Sequence, residues 1–212
     1  AERKRIVVVS VTSDRGLAGA FNSNILRLSE DLIRKEESNG VAVDVITVGK
    51  KAGAYFRYRG IEPTAAYLDI SDKPTFLDAK SIAAHVIPSY TAGDVDGVYI
   101  IFNRFKNVAD QSPELHKLLP IEQSVVEEAT EDADIAAEYM FEPDAESVLE
   151  LLLPTYVETI IYRALMESAA SEHGARRTAM KSATDNASDM VISLSRTYNR
   201  ARQAAITNEI AE

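Results

Sequence analysis

The spacing of apolar residues changes along this chain, and each change marks an element. Arg5 to Thr12 (RIVVVSVT) is almost continuously β-branched and apolar. That is the pattern of a strand covered on both faces, as in a parallel sheet. Ala20 to Glu37 shifts to helical spacing, with Phe21, Ile25, Leu28, Leu32 and Ile33 on one face. Asn39-Gly40 supplies its C-terminal stop. Val41 to Val48 predicts a second strand and Lys50 to Arg59 a short helix closed by Gly60. Ile61 to Ile70 predicts a third, shorter strand after Pro63. Thr75 to Ala92 predicts a helix with Phe76, Ile82, Val86 and Tyr90 near one face, which Pro88 should kink or end early. Gly97 to Phe105 predicts another strand. Asn107 to Leu119 carries no strong signal, Glu127 to Asp134 reads as an acidic loop, and Ile135 to Phe141 as a weak edge strand.

From Asp144, a suitable N-cap, helical spacing holds to the end of the chain. A step of three then four residues links Thr159, Tyr162, Met166, Ala169, His173 and Arg176. It continues through Met180, Ala183, Ala187, Met190, Leu194, Thr197, Ala201 and Ala204. These are the a and d positions of a coiled coil whose partner is not evident in the sequence. Only Pro154 and Gly174 interrupt it, and a close helix approach would account for the glycine. A continuous helix of this length spans roughly 100 Å, more than a domain built from residues 1–143 could cover. The small seam residues favour tight helix pairing. The predicted class is therefore α/β: a largely parallel sheet flanked by helices over residues 1–143, and a long C-terminal helix over 144–212.

Composition narrows the function. The chain has 212 residues, 46% hydrophobic, with no cysteine, so disulfides and thiolate metal sites are excluded. No window reaches the ~20 apolar residues of a membrane span. Net charge is -10, but residues 176–212 are mildly basic. Nucleic-acid binding needs a dominant basic face, and none is present. A basic tip on an acidic body suits a protein partner with an acidic lining; a solvated helix face is the plainer reading.

Strand one is followed by SDRGLAGAFN, with Gly16 and Gly19 ahead of a helix. A dinucleotide fingerprint would require G-x-G-x-x-G, and its first glycine is missing. The phosphate-loop lysine is missing too, so the glycines are expected to let turn and helix pack close to the sheet. Glu127, Glu128, Glu131, Asp132 and Asp134 lack the spacing of a calcium loop. His85, His116 and His173 are scattered, and no hydrolase motif occurs. Two polar segments remain on the helix, Ala175 to Met190 and Tyr198 to Glu212. Their Arg, Gln and Thr residues could hydrogen-bond a surrounding partner.

With TSDRGLAGAFN (Thr12 to Asn22), ARRTAMKSATDN (Ala175 to Asn186) and YNRARQAAITNE (Tyr198 to Glu209), the chain resembles the gamma subunit of F-type ATP synthase. The three blocks stand in order, and the resemblance covers nearly all residues. It implies a Rossmann-like foot domain and a C-terminal helix forming half of an antiparallel coiled coil. It further implies a non-catalytic rotor subunit of the central stalk. Such a subunit couples ion flow through a membrane c-subunit ring to conformational change at catalytic beta subunits, in a hexamer of alpha and beta subunits. Nucleotides and magnesium would bind in the hexamer, so no cofactor or metal is expected on this chain. By the same resemblance Arg202, Gln203, Thr207 and Glu209 contact a beta subunit. Tyr139, Phe141 and Glu142 lie on the foot near the ring and the small epsilon subunit. Met180, Ala183, Ala187, Met190, Leu194, Ala201 and Ala204 form the coil seam. The expected location is peripheral, on the cytoplasmic face of a bacterial energy-transducing membrane, with an organelle also open. Relatives begin with a long helix and run a few turns further, so this chain is expected to be a truncated form. Two other readings stay open on the residues alone. One is a small nucleotide-binding α/β enzyme dimerising through its C-terminal helix; the other is a self-associating scaffold.

Overall fold

A computed structural model describes residues 3–108, 110–121 and 145–211. Five strands, β1 (Arg5–Val11), β2 (Ala42–Val48), β3 (Ala65–Tyr67), β4 (Gly97–Phe105) and β5 (Gln111–Leu119), form one sheet in the order β3-β2-β1-β4-β5. The helices are α1 (Phe21–Ser38), α2 (Lys50–Tyr58), α3 (Phe76–Thr91) and α4 (Ala145–Ala211). The first four strands pair in parallel and β5 pairs antiparallel with β4. The sheet is thus mostly parallel and flanked by helices, with β1 at its centre and Val9 placed between Ile46 and Ile100.

The near-continuous apolarity of β1 follows from that position. Ile6 and Val8 pack toward Ile25 and Leu32 of α1. Val7, Val9 and Val11 face the other way, into a cluster with Ile82 and Val86 of α3 and with Val157, Ile161, Ala164 and Leu165 of α4. A smaller cluster, Ile33, Val45, Ala52 and Phe56, joins α1 and α2 on the first face. Each such buried aliphatic side chain contributes about 1.5–3 kcal/mol, so the start of α4 is an integral part of the core.

Two details differ from the sequence reading. Residues 111–119, which show no strong apolar signal, are strand β5. Pro113 lies within the strand, opposite Asn103, and only Leu118 and Leu119 are fully buried. The strand is held by its backbone pairing to β4, which leaves little trace in side-chain pattern. Helix α3 is not ended early by Pro88 but continues to Thr91. A proline there removes one N–H bond near the C-terminus, where few turns remain to be disrupted. The predicted acidic loop, the Ile135–Phe141 strand and the Asp144 cap lie outside the described residues.

The expected C-terminal stop of α1 is present. Asn39 and Gly40 donate their N–H groups to the carbonyls of Glu36 and Glu37, and Gly40 has φ +78°. Gly49, between β2 and α2, has φ +87°, and a Cβ there would lie 2.3 Å from the Thr12 carbonyl oxygen. Only glycine permits that approach of β2 to the end of β1.

Candidate functional site

Helix α4 runs 67 residues without a break, through Pro154, a length of about 100 Å. It divides into two parts with different surroundings. Up to Ala179 one face lies on the sheet. From Met180 to Ala211 every residue is exposed, a free rod of roughly 50 Å.

In the packed part the buried positions are Val157, Ile161, Ala164, Leu165, Ser168, Ala169, Ser171, Glu172 and Gly174. Ile161, Leu165, Ser168 and Glu172 each precede a predicted seam position by one residue. Leu165 is 3% exposed, whereas its neighbour Met166 is 45% exposed. One residue is about 100° around a helix. The face docked on the sheet is therefore distinct from the seam, and the seam is not unpartnered along its whole length. Tyr162 is partly buried, edge-to-face with Phe76 of α3, and Ala169 is buried in the domain. His173 is exposed, its Nε2 3.3 Å from Asp72.

The helix leaves the sheet at a collar built by the SDRGLAGAFN turn. Thr12 donates its hydroxyl to the Val48 carbonyl (3.0 Å) and accepts from the Ala52 N–H (2.9 Å), tying the end of β1 to α2. The Ser13 N–H donates to Asn22 Oδ1 at 2.9 Å, and Asn22 Nδ2 donates back to Ser13 Oγ at 2.8 Å. Ser13 Oγ donates to the Arg15 carbonyl, closing the turn on itself. Asp14 receives the N–H groups of Lys50 (3.1 Å) and Ser71 (3.2 Å). Burial pushes its carboxyl up, but hydrogen bonds from the Asp69, Ser71 and Lys50 backbones and the Ser71 side chain together hold it below the ordinary aspartate value. Leu17 and Gly19 take positive φ, 63° and 57°. A Cβ on Gly19 would lie 4.0 Å from the Ala179 Cβ. That is ordinary contact, so the positive φ rather than crowding calls for glycine at this position, and neither Gly16 nor Gly19 shows the close approach to the sheet that the sequence suggests.

Two polar contacts fasten α4 here, one from Ser171 and one from Arg176. Ser171 donates its hydroxyl to the Asn103 carbonyl at 3.0 Å, while Asn103 Nδ2 donates to the Phe21 carbonyl at 3.1 Å. Arg176 donates to Glu172 at 2.5 Å. The same guanidinium nitrogen reaches the Gly16 carbonyl at 3.5 Å. Gly174 meets Gln111, Phe105 and Val108, so its close approach is to the β4–β5 hairpin rather than to another helix. Sequence reasoning missed Ser171, Glu172 and Asn103. The signal available was a run of polar and small residues at helical spacing, which reads as surface.

The strand order reverses between β1 and β4, and in doubly wound sheets ligands bind at that crevice, beyond the carboxyl ends of the strands. Here the crevice is bounded by Ala18, Phe21 and Asn103, and Ala175 and Ala179 of α4 lie across it. About 300 Å³ of cleft remains. Among the described residues no cluster of His, Asp and Glu could hold a metal ion, and no helix is long and apolar enough to cross a membrane.

On the free rod, Met180, Ala183, Ala187, Met190, Leu194, Ala201 and Ala204 are all exposed. Arg202 and Glu209, seven residues apart, share one line along the helix. Gln203 and Thr207, four apart, share another about 100–140° away. The Thr207 hydroxyl donates to the Gln203 carbonyl at 2.9 Å. Both polar lines lie off the seam, so seam and flank could each engage a different neighbour. Tyr139, Phe141 and Glu142 lie outside the described residues.

Comparison with known proteins agrees with this architecture. Residues 1–212 match the family model described as ATP synthase. The chain is 46% identical over 211 residues to the ATP synthase gamma chain of Desulforamulus reducens, covering 100% of this chain and 72% of that one. It is 46% identical over 213 residues to the ATP synthase gamma chain of Streptomyces griseus, covering 98% and 70%. It thus spans about 70% of the length of these curated relatives. Among solved structures it resembles a chain of the Tetrahymena thermophila mitochondrial ATP synthase central stalk and c-ring. The TM-score there is 0.65 at 27% identity, over 87% of this chain and 78% of that one. It shares its fold with a chain of the Euglena gracilis mitochondrial enzyme in one rotational state, TM-score 0.66 at 24% identity, over 100% and 70%. A mostly parallel sheet that grips one very long helix, together with these likenesses over the whole chain, shows that the chain belongs to the ATP synthase gamma-chain family.

Proposed function

We propose that this chain is a non-catalytic rotor element of the central stalk. It couples ion flow through a membrane c-subunit ring to conformational change at the beta subunits of an alpha–beta hexamer. The observation that carries this reading is the form of α4: one end built into an α/β core, the other a rod of roughly 50 Å with every residue exposed. Such a lever transmits rotation from its seated end to its tip. The seam from Met180 to Ala204 takes a second helix, and small residues at Ala183, Ala187, Ala201 and Ala204 allow close pairing. Arg202, Gln203, Thr207 and Glu209 contact a beta subunit with polar bonds of modest strength, which form and break as the rod turns. The foot, with Tyr139, Phe141 and Glu142, meets the ring and an epsilon subunit. The complex sits peripherally on an energy-transducing membrane, on the cytoplasmic side in a bacterium.

The reading of a nucleotide-dependent enzyme is weakened by α4 itself, which lies across the crevice where such a ligand would bind. The test is reconstitution with alpha, beta and the remaining subunits in proteoliposomes. Arg202→Ala with Gln203→Ala is expected to lower ion-driven ATP synthesis several-fold at unchanged assembly, on the scale of two lost charge-assisted or neutral hydrogen bonds. Unchanged coupled synthesis would remove the assigned contact role.

A further inference from the structure

We propose that Glu172 and Arg176, with the Gly16 carbonyl, form a torsional key that fixes the rotational setting of α4 on the sheet. The idea rests on the rotor reading for its purpose, but not for its geometry.

Apolar packing holds a helix down well and holds its azimuth poorly. Beyond Val157 and Ile161, the docked face toward the collar carries small or unbranched-at-Cβ side chains: Ala164, Leu165, Ser168, Ala169 and Ser171. A turn of a few degrees about the helix axis exchanges one set of dispersion contacts for another of nearly equal value. A directional bond to a charged group does not tolerate that exchange, because its energy falls steeply with angle. Glu172 is 2% exposed and carries its charge into the domain. Its one ion-pair partner among the described residues is Arg176, one turn further along the same helix and 2.5 Å away. The pair alone would rotate with the helix and lock nothing. What ties it to the foot is the reach of the same guanidinium to the Gly16 carbonyl, a long contact of 3.5 Å across the gap between helix and turn. Gly16 belongs to the loop closed by Ser13 and Asn22 and anchored by Asp14 to Lys50 and Ser71. The key therefore engages a hydrogen-bonded turn at the carboxyl end of the central strand.

Its position fits a mechanical purpose. The key stands just below Met180, where contact with the domain ends and the free rod begins. Torque delivered at the foot enters the rod at this level. Ser171, bonded to the Asn103 carbonyl one turn earlier, is a second stop on a neighbouring face. Two directional anchors on different sides of the helix resist rotation in both senses. Arg176 is a positioning residue here: it acts on the setting of the rod, and touches no reacting group.

The absence of cysteine from the sequence permits a direct test in the full chain. Spin labels are placed at Arg27→Cys on α1 and Asp185→Cys on the rod, both exposed, diluted in unlabelled chain. The parent should give one narrow distance distribution by pulsed electron paramagnetic resonance. Glu172→Gln with Arg176→Met, a neutral pair of similar shape, should broaden it at least about twofold with the core still folded, since packing remains and only the directional lock is lost. Arg176→Lys should fall between the two, and the exposed neighbour Arg177→Met should leave the width unchanged. A width in the neutral pair equal to the parent would overturn the proposal. So would failure of the neutral pair and Arg176→Lys to fold, because the residues would then serve the fold rather than the setting. The result is independent of whether the chain acts as a rotor. A narrow-to-broad change without any effect on coupled synthesis would keep the key and reject its purpose.

Discussion

Leu165 and Met166 are adjacent in sequence on α4, and their environments differ sharply. Leu165 is 3% exposed in the cluster with Val157, Ile161 and Ala164, while Met166 is 45% exposed. Leu165→Ala removes three buried carbon groups at about 0.8 kcal/mol each. It leaves a cavity beneath a rigid sheet, so the total loss should be about 3–4 kcal/mol. Met166→Ala removes side chain that is already half in solvent and should lose less than about 1 kcal/mol. Urea unfolding is the assay, followed by near-UV circular dichroism of the tyrosines. Far-UV signal would be dominated by the free part of α4, which can fray without loss of the core. The Leu165 variant should show a lower midpoint at an unchanged slope. Equal losses at the two positions, or the larger loss at Met166, would show that the docked face is assigned to the wrong side of the helix.

Other outcomes follow from particular contacts. Gly49→Ala places a Cβ 2.3 Å from the Thr12 carbonyl at φ +87°. It should lose well over about 2 kcal/mol, against about 1 kcal/mol for Gly40→Ala, where φ is +78° and the space is open; urea midpoints compare them. The Asp14 carboxyl lies below its unfolded value in the folded chain. Its contribution is therefore present above the ordinary aspartate pKa and is lost as pH falls through the folded value. Asp14→Asn should flatten the acid limb of a stability–pH curve, and an unaltered limb would contradict the assigned bonds. Met190→Lys with Leu194→Lys, on exposed positions, should change the unfolding free energy by less than about 0.5 kcal/mol and so barely move the urea midpoint, yet prevent pairing of the seam. A large midpoint change would mean that the rod folds back on the domain.

The sheet was readable wherever burial on both faces writes continuous apolarity, as in Arg5–Val11 and Gly97–Phe105. The stops were readable too, because Asn39-Gly40 has a stereochemical reason to be there. Strand β5 was hidden because its pairing uses backbone groups and its side chains are mostly half-exposed. Where α4 docks, the buried face is a second one beside the seam, which the heptad spacing alone does not predict. There the buried face carries Ser168, Ser171 and Glu172, whose burial is tolerated where hydrogen bonds or an ion pair satisfy them. Neither polarity nor spacing reveals that from sequence. On the free rod no fold contact sets the pattern, so the seam and the tip residues rest on spacing and resemblance. The collar was visible as a motif; its work as a grip on α4 needed the three-dimensional placement of Gly16 and Arg176.

The most direct test of the rotor account is to watch this chain turn. With alpha–beta hexamers fixed to a surface and a bead attached through Arg27→Cys on the foot, ATP should drive rotation of the bead in one sense. Continued ATP hydrolysis by the assembled complex with the bead stationary, and no slippage of its attachment, would contradict it.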